Sequence, residues 1–370
     1  MPANEPPWQL SGTALRCCSC LMGALQGAIC GGCSECFSCV ADTSTTCCPD
    51  CTHDLLPTEL ECTRALAQVE AANVTAWVFA VSTGHAASQS LSSRKCYHAS
   101  RPGISIQFEG GWSQMGCGAY RLPRFGDFLG PGRGIRGVYF RASRSTDGEA
   151  TMRACVRSVL LPDMTHRAIR DSPQAREHTI IDAGHHINLG LIEPLVSLLQ
   201  PRVRFVRLIR SRYDTVRSFA DKSPCGGNHE TWTPCPLWHT VELSPPSEDA
   251  WHRLSHPQQN LWVVDEVEAR WQRMLARHPD LPYMDLRWCT GPEFARGWEA
   301  ATAFMGQGGL ALQSCDHHHH GQANISDSEL AAADAGYQRV MQYSADTERL
   351  LRSVRVPWDC KGGALSRQAL

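Results

Sequence analysis

The chain has 370 residues, 42% of them hydrophobic, enough to bury the core of one large α/β domain with an appendage or of two modest domains. Its net charge of -2 sets up no global basic field and gives no compositional case for a nucleic-acid partner. Only Lys95, Lys222 and Lys361 are lysine, so any anion site must be built from arginine, histidine or backbone N–H groups.

Residues 1–62 differ from the rest. Cysteines crowd between Cys17 and Cys62, and Cys30, Cys33, Cys36 and Cys39 follow one another at CxxC spacing. That spacing suits a tetrahedral zinc site or a disulfide knot. The lack of any sustained period, with Pro and Ser/Thr punctuation, favours a Cys-rich tether instead. The uncharged stretch Cys17–Ser34 reads as a weak membrane anchor, diluted by Gly, Ser and Gln relative to the roughly 20 apolar residues of a spanning helix. The 19 cysteines of the chain favour an oxidising compartment. Two sequons, Asn73-Val74-Thr75 and Asn324-Ile325-Ser326, are compatible with a secretory route, and the expected location is the Golgi lumen.

Residues 63–370 read as one domain with a Pro/Gly-rich insertion at about 223–260. Residues 63–75 suggest a short helix, and the apolar run Ala76–Ser82 a buried parallel strand followed by a Gly/Ser turn and a helix from Ser88. Residues 99–150 are rich in Gly and Arg and read as loops and short strands. Thr151–Leu161 reads as helix or strand, Thr179–Asp182 as a strand and Leu189–Leu199 as a helix. Val203–Ile209 then reads as a strand and Tyr213–Asp221 as a helix. In the insertion, Cys225 and Cys235 could close a disulfide loop. Leu261–His278 carries Trp262, Val263, Val267, Trp271 and Leu275 at helical spacing. Tyr283–Leu286 reads as a last short strand, Glu293–Met305 as a helix and His317–His320 as a loop tract. Strands alternating with helices imply an α/β fold: three layers, αβα, around a central parallel sheet.

The candidate chemistry begins in the loop Ser82, Thr83, Gly84, His85, Ala86, Ala87, Ser88, Gln89 and Ser90. A loop that leaves a buried strand and enters a helix aims backbone N–H groups at one point, where the helix N-terminus adds partial positive charge. There is no GxxxxGK[ST] and no lysine to reach a terminal phosphate, which argues against an ordinary ATPase or GTPase. The second element is Arg210 at the end of a strand with Ser218 in the following helix. A guanidinium fork and a hydroxyl together suit a phosphate; the alternative is that Arg210 and Arg212 are solvated surface charges.

These segments resemble the sulfotransferase superfamily, whose donor is 3′-phosphoadenosine 5′-phosphosulfate. VFAVSTGHAASQSL is similar to its 5′-phosphosulfate loop, and FVRLIRSRYDTVRSF to the strand and helix whose Arg and Ser hold the 3′-phosphate. Leu281–Leu286 followed by Ala300–Gly306, and the helix Trp262–Trp271, resemble two further pieces in the same order. The resemblance implies a P-loop nucleoside triphosphate hydrolase-like fold, with the loop and Arg210 and Ser218 as donor contacts. It also implies a carbohydrate or other hydroxyl acceptor and no required metal. His85 stands where the family usually has Arg or Lys. Phosphate oxygens would favour the protonated imidazole, so activity would fall at high pH.

Catalysis also needs a base for the acceptor hydroxyl, contributing typically ~10²–10⁴-fold. By resemblance His185 is the first choice, with His186 beside it and Asp182 placed to orient the imidazole; a packed or capping role is the alternative for each histidine. Trp112, Trp232, Trp238 and Trp251 could stack on sugar rings or close a core. Two other readings compete: a small-molecule kinase on a P-loop fold, and an inactive relative that only binds.

Overall fold

The computed structural model describes residues 69–83, 97–98, 102–107, 153, 156–184, 187, 190–219, 224–225, 234–236, 241–287, 292–306, 311–312 and 325–355. The Cys-rich segment 1–62 and the His317–His320 tract lie outside them.

Five parallel strands make the central sheet: β1 (Val74–Val81), β3 (Ile104–Gln107), β4 (His178–Asp182), β5 (Val203–Ile209) and β6 (Tyr283–Arg287). Their order is β3-β4-β1-β5-β6. A separate antiparallel pair joins β2 (Tyr97–His98) to β7 (Ala311–Leu312). The helices are α1 (Leu161–Asp171), α2 (Ile192–Leu199), α3 (Arg212–Ser218), α4 (Glu248–His252), α5 (His256–Arg277), α6 (Pro292–Phe304), α7 (Asp327–Met341) and α8 (Ala345–Arg355).

Side chains alternate across the sheet, and both faces are covered. Trp77, Phe79, Ile180, Val203 and Phe205 face α1, α2 and α5, with Phe205 edge-on to Trp271 at 6.1 Å between ring centroids. Val78, Ala80, Ile181, Val206 and Leu286 face Trp298 and Ala301 of α6. The fold is therefore three-layered α/β, as the strand–helix alternation implies. A third, helical core gathers Val216, Trp251, Trp262, Leu330, Tyr337 and Leu351 from α3, α4, α5, α7 and α8.

Several boundaries differ from the sequence reading for local reasons. Strand β1 begins at Val74 rather than Ala76, because Asn73 takes the left-handed conformation (φ 49°) and turns the chain at once from residues 69–71 into the sheet. Ile104–Gln107, within the segment read as loops and short strands, is an edge strand of the main sheet paired to β4. Helix α1 runs to Asp171, well past the segment expected to end at Leu161, and follows a π-helical turn at Val156–Leu160. Helix α5 begins five residues earlier than Leu261: the Ser255 N–H donates to Gln258 Oε1 at 2.8 Å and closes its first turn. The strand Val203–Ile209 has the expected bounds.

The arginines of β5 hold its neighbours. Arg204 Nη1 donates to Phe304 O at 2.9 Å, at the end of α6. Gly306, two residues on and at φ +76°, is close enough that a Cβ there would lie 3.2 Å from that same Nη1. Arg207 forks onto Asp285 (2.8 and 2.6 Å) and reaches Glu268 of α5 at 2.8 Å. Cys225 and Cys235 form a disulfide, the closure that the insertion's cysteine pair suggests.

His178, the first residue of β4, is buried, and its Nδ1 finds no hydrogen-bond partner among the described residues. Burial lowers its pKa below the ordinary value of about 6.5. As pH falls through about 6.5 the unfolded chain takes up a proton that the folded imidazole resists, so this contribution to stability is present above that pH and lost below it. Urea unfolding at about pH 7.5 and about pH 5.5 should give a drop in stability toward acid that is smaller in His178→Gln.

Candidate functional site

In a parallel sheet every strand delivers its carboxyl end to the same edge. The chain leaves β1 toward β3, returns through β4, then crosses β1 to β5 and continues outward to β6. The crevice at the carboxyl ends of β1 and β5 is therefore the point where the connections diverge, the usual ligand position in open α/β sheets. Neighbouring strands lie roughly 4.8 Å apart, so the ends of β4, β1 and β5 fall within about 10 Å across the sheet.

Ser82 and Thr83 follow β1 directly; Ser82 is buried and Thr83 half-buried. Gly84, His85, Ala86, Ala87, Ser88, Gln89 and Ser90 lie outside the described residues, as do His185 and His186. Asp182 is the last residue of β4 and fully buried, and its Oδ1 accepts the Gly184 N–H at 2.7 Å. The register sets Asp182 level with Phe79, and Val81 level with Arg207. Asp182 thus sits three positions below Ser82. The carboxylate holds the first step of the chain beyond β4 through that bond to Gly184.

Arg210 is the first residue beyond β5 and is half-buried. Its Nη1 donates to Ser218 Oγ at 3.5 Å, so the end of the strand and the last residue of α3 meet. Burial draws the guanidinium pKa down; Asp214 opposes this and Arg217 adds to it. A guanidinium in a protein nonetheless keeps its charge at physiological pH. The Ser218 hydroxyl donates to Thr215 O at 2.8 Å. Its one proton is thus engaged, and its oxygen accepts from Arg210.

Arg212 behaves differently, and the view of it as a solvated surface charge does not hold. Arg212 is buried, with Nε and Nη2 on Asp265 at 2.9 and 3.1 Å and Nη1 on Asp334 at 2.5 Å. Burial opposes its charge, but Asp265 and Asp334 outweigh that and raise its pKa. Tyr337 Oη donates to Asp265 at 3.0 Å, and burial followed by Asp265 pushes that phenol well above its ordinary range. Around this anchor, Ser211 Oγ accepts the Asp214 N–H at 3.4 Å as N-cap, and Asn260 Nδ2 donates to Phe219 O at 2.9 Å just past Ser218. Arg217 reaches Ile325 O at 2.9 Å, Asp214 at 2.7 Å, and Asp327.

The sequence reading missed these supports. Asp265 and Asp334 lie 53 and 122 residues from Arg212, so no local pattern links them. Trp251, considered there for sugar stacking, is buried and packs edge-on against Trp262 with centroids 5.0 Å apart, inside the helical core. Trp112, Trp232 and Trp238 lie outside the described residues.

Arg212→Met should destabilise the fold by about 3–5 kcal/mol, because it leaves two buried carboxylates without their cation. The triple change Arg212→Met, Asp265→Asn and Asp334→Asn should recover most of that in urea unfolding, since the uncompensated charge is gone.

Comparison of the chain with protein-family models, with curated proteins and with solved structures found no match to any of them.

Proposed function

We propose that the chain is a sulfotransferase of the P-loop nucleoside triphosphate hydrolase-like class. It moves a sulfuryl group from 3′-phosphoadenosine 5′-phosphosulfate to a hydroxyl of a carbohydrate or glycoconjugate in the secretory lumen, with the Golgi as its site. The observation that carries this reading is the meeting of Arg210 with Ser218, 3.5 Å apart, beside the strand whose following loop would take the 5′ end of the donor. The disulfide between Cys225 and Cys235 favours an oxidising compartment.

In this reading Arg210 and Ser218 hold the 3′-phosphate. The guanidinium is already partly desolvated, which strengthens its attraction for an anion relative to a fully exposed cation. Ser82, Thr83 and the loop through Ser90 offer hydroxyl and backbone donors to the phosphosulfate, with His85 as its cation when protonated. The acceptor oxygen attacks sulfur in line while the bond from sulfur to the 5′-phosphate oxygen breaks. The acceptor proton passes to His185, or to His186 beside it, and 3′-phosphoadenosine 5′-phosphate leaves. Asp182, buried at the root of that segment, orients it. Catalysis is then positioning plus stabilisation of charge on the equatorial sulfuryl oxygens, as in phosphoryl transfer.

A second reading, a relative that binds the donor without transferring its sulfuryl group, is favoured by one feature: His85 in place of a permanent cation. Donor binding without sulfate incorporation into any of a broad panel of carbohydrate acceptors would select it.

The test of the site is affinity for 3′-phosphoadenosine 5′-phosphate by calorimetry. Arg210→Ala should weaken binding about 10–100-fold, the loss of charge-assisted hydrogen bonds worth about 1.5–3 kcal/mol. Ser218→Ala should cost less, about 0.5–1.5 kcal/mol. Unchanged affinity in Arg210→Ala would sink the assignment. Tighter binding of ATP than of the 3′-phosphorylated nucleotide would point to the kinase reading instead.

A further inference from the structure

We propose that Asn73 is an N-glycosylation site, carrying one oligosaccharide at the end of the sheet opposite the candidate donor site. The inference rests on the lumenal location proposed above and not on the sulfuryl-transfer chemistry. The sequon Asn73-Val74-Thr75 straddles the start of β1, where Val74 is buried and Asn73 and Thr75 are exposed. Asn73 closes a turn, its N–H donating to Glu70 O at 3.1 Å, and its φ of 49° carries the side chain out at the head of the strand. The eight residues of β1 rise about 3.3 Å each, so the glycan would stand roughly 25 Å from the loop at Ser82.

What selects this sequon over the other is the range of the bonds that compete for it. Asn73 Nδ2 donates to Arg176 O at 2.9 Å, and Thr75 Oγ1 to His178 O at 3.2 Å, both across 103 residues. Those partners do not exist for the sequon until about a hundred more residues have been made, so it is open when it first emerges. In Asn324-Ile325-Ser326, by contrast, the Ser326 hydroxyl donates to Glu329 Oε2 at 2.6 Å and accepts the Glu329 N–H at 3.3 Å, a local capping box that forms with the first turn of α7. The sugar donor is a lipid diphosphate-linked oligosaccharide. The bond from Asn73 Nδ2 to the anomeric carbon forms, the anomeric carbon–oxygen bond to the diphosphate breaks, and one amide proton leaves. The second N–H of the amide stays available to Arg176 O, so the folded turn accepts the product.

The experiment expresses the full chain in a eukaryotic secretory cell and runs denatured samples with and without an N-glycosidase, which makes the readout independent of folding. The expected result is one glycosidase-sensitive shift in the parent chain, kept in Thr75→Ser and Ser326→Ala and lost in Thr75→Val. A chain that is protease-protected in sealed microsomes but shows no shift, or a shift that survives Thr75→Val, overturns the proposal. A chain that is not protected overturns the lumenal location and this inference together. Binding of 3′-phosphoadenosine 5′-phosphate by the same preparations reports on the donor site separately, and should be equal in Thr75→Val and the parent.

Discussion

The buried fork from Arg212 onto Asp265 and Asp334 is the constraint on which the candidate site depends. Helix α3 has only seven residues, too few to hold itself in water, so its place must come from tertiary contacts. Taking a guanidinium and two carboxylates out of solvent costs several kcal/mol per ion unless the hydrogen bonds are complete. Here the fork is bidentate on Asp265, single on Asp334 and shared by Tyr337 and Tyr213. Any tilt of α3 would break several charge-assisted bonds together. That stiffness is what lets Arg210, two residues before the fork, and Ser218, six after it, meet reproducibly.

Beyond the fork, α5 acts as the common post of the domain. One of its faces, with Val267, Trp271 and Met274, closes the sheet core, while Leu261, Trp262 and Val264 enter the helical core. Its polar residues hold the chain between α3 and α4. Glu266 accepts the N–H groups of Glu242 and Leu243 and pairs with Arg270 at 2.6 Å, and Trp262 Nε1 donates to Leu243 O at 2.7 Å. Burial pushes the Glu266 carboxyl up, and Arg270 and the two amides work against that shift. Sheet, insertion and the Arg210–Ser218 pair are therefore all tied to one rigid element.

The parallel sheet explains why the candidate residues come from such distant parts of the chain. Crossover connections bring β1, β4 and β5 side by side with carboxyl ends together, so Ser82, Asp182 and Arg210 share an edge although about a hundred residues separate the first two. The register also grades them by height: Arg210 extends beyond the level of Val81 and Asp182 stops at that of Phe79. Arg210 stands past the strand end, whereas Asp182 lies within the buried layer and accepts the Gly184 N–H.

By itself the sequence determined the elements whose signal is local. A continuous apolar run marked β1 because a strand covered on both faces has little room for polar residues, and helical spacing marked α5 because one of its sides must meet a core. Motif order singled out Arg210 and Ser218 as a pair. The sequence could not show that Arg212, two residues after Arg210, is buried, because its partners are carboxylates 53 and 122 residues away. Nor could it mark Ile104–Gln107 as part of the main sheet, since four residues carry too little pattern and only pairing to β4 defines them. Trp251 reads the same from sequence whether it faces a sugar or Trp262. Each of these was decided by which distant surface the chain meets on folding, and burial of a charge or a ring is a property of that meeting rather than of the residue.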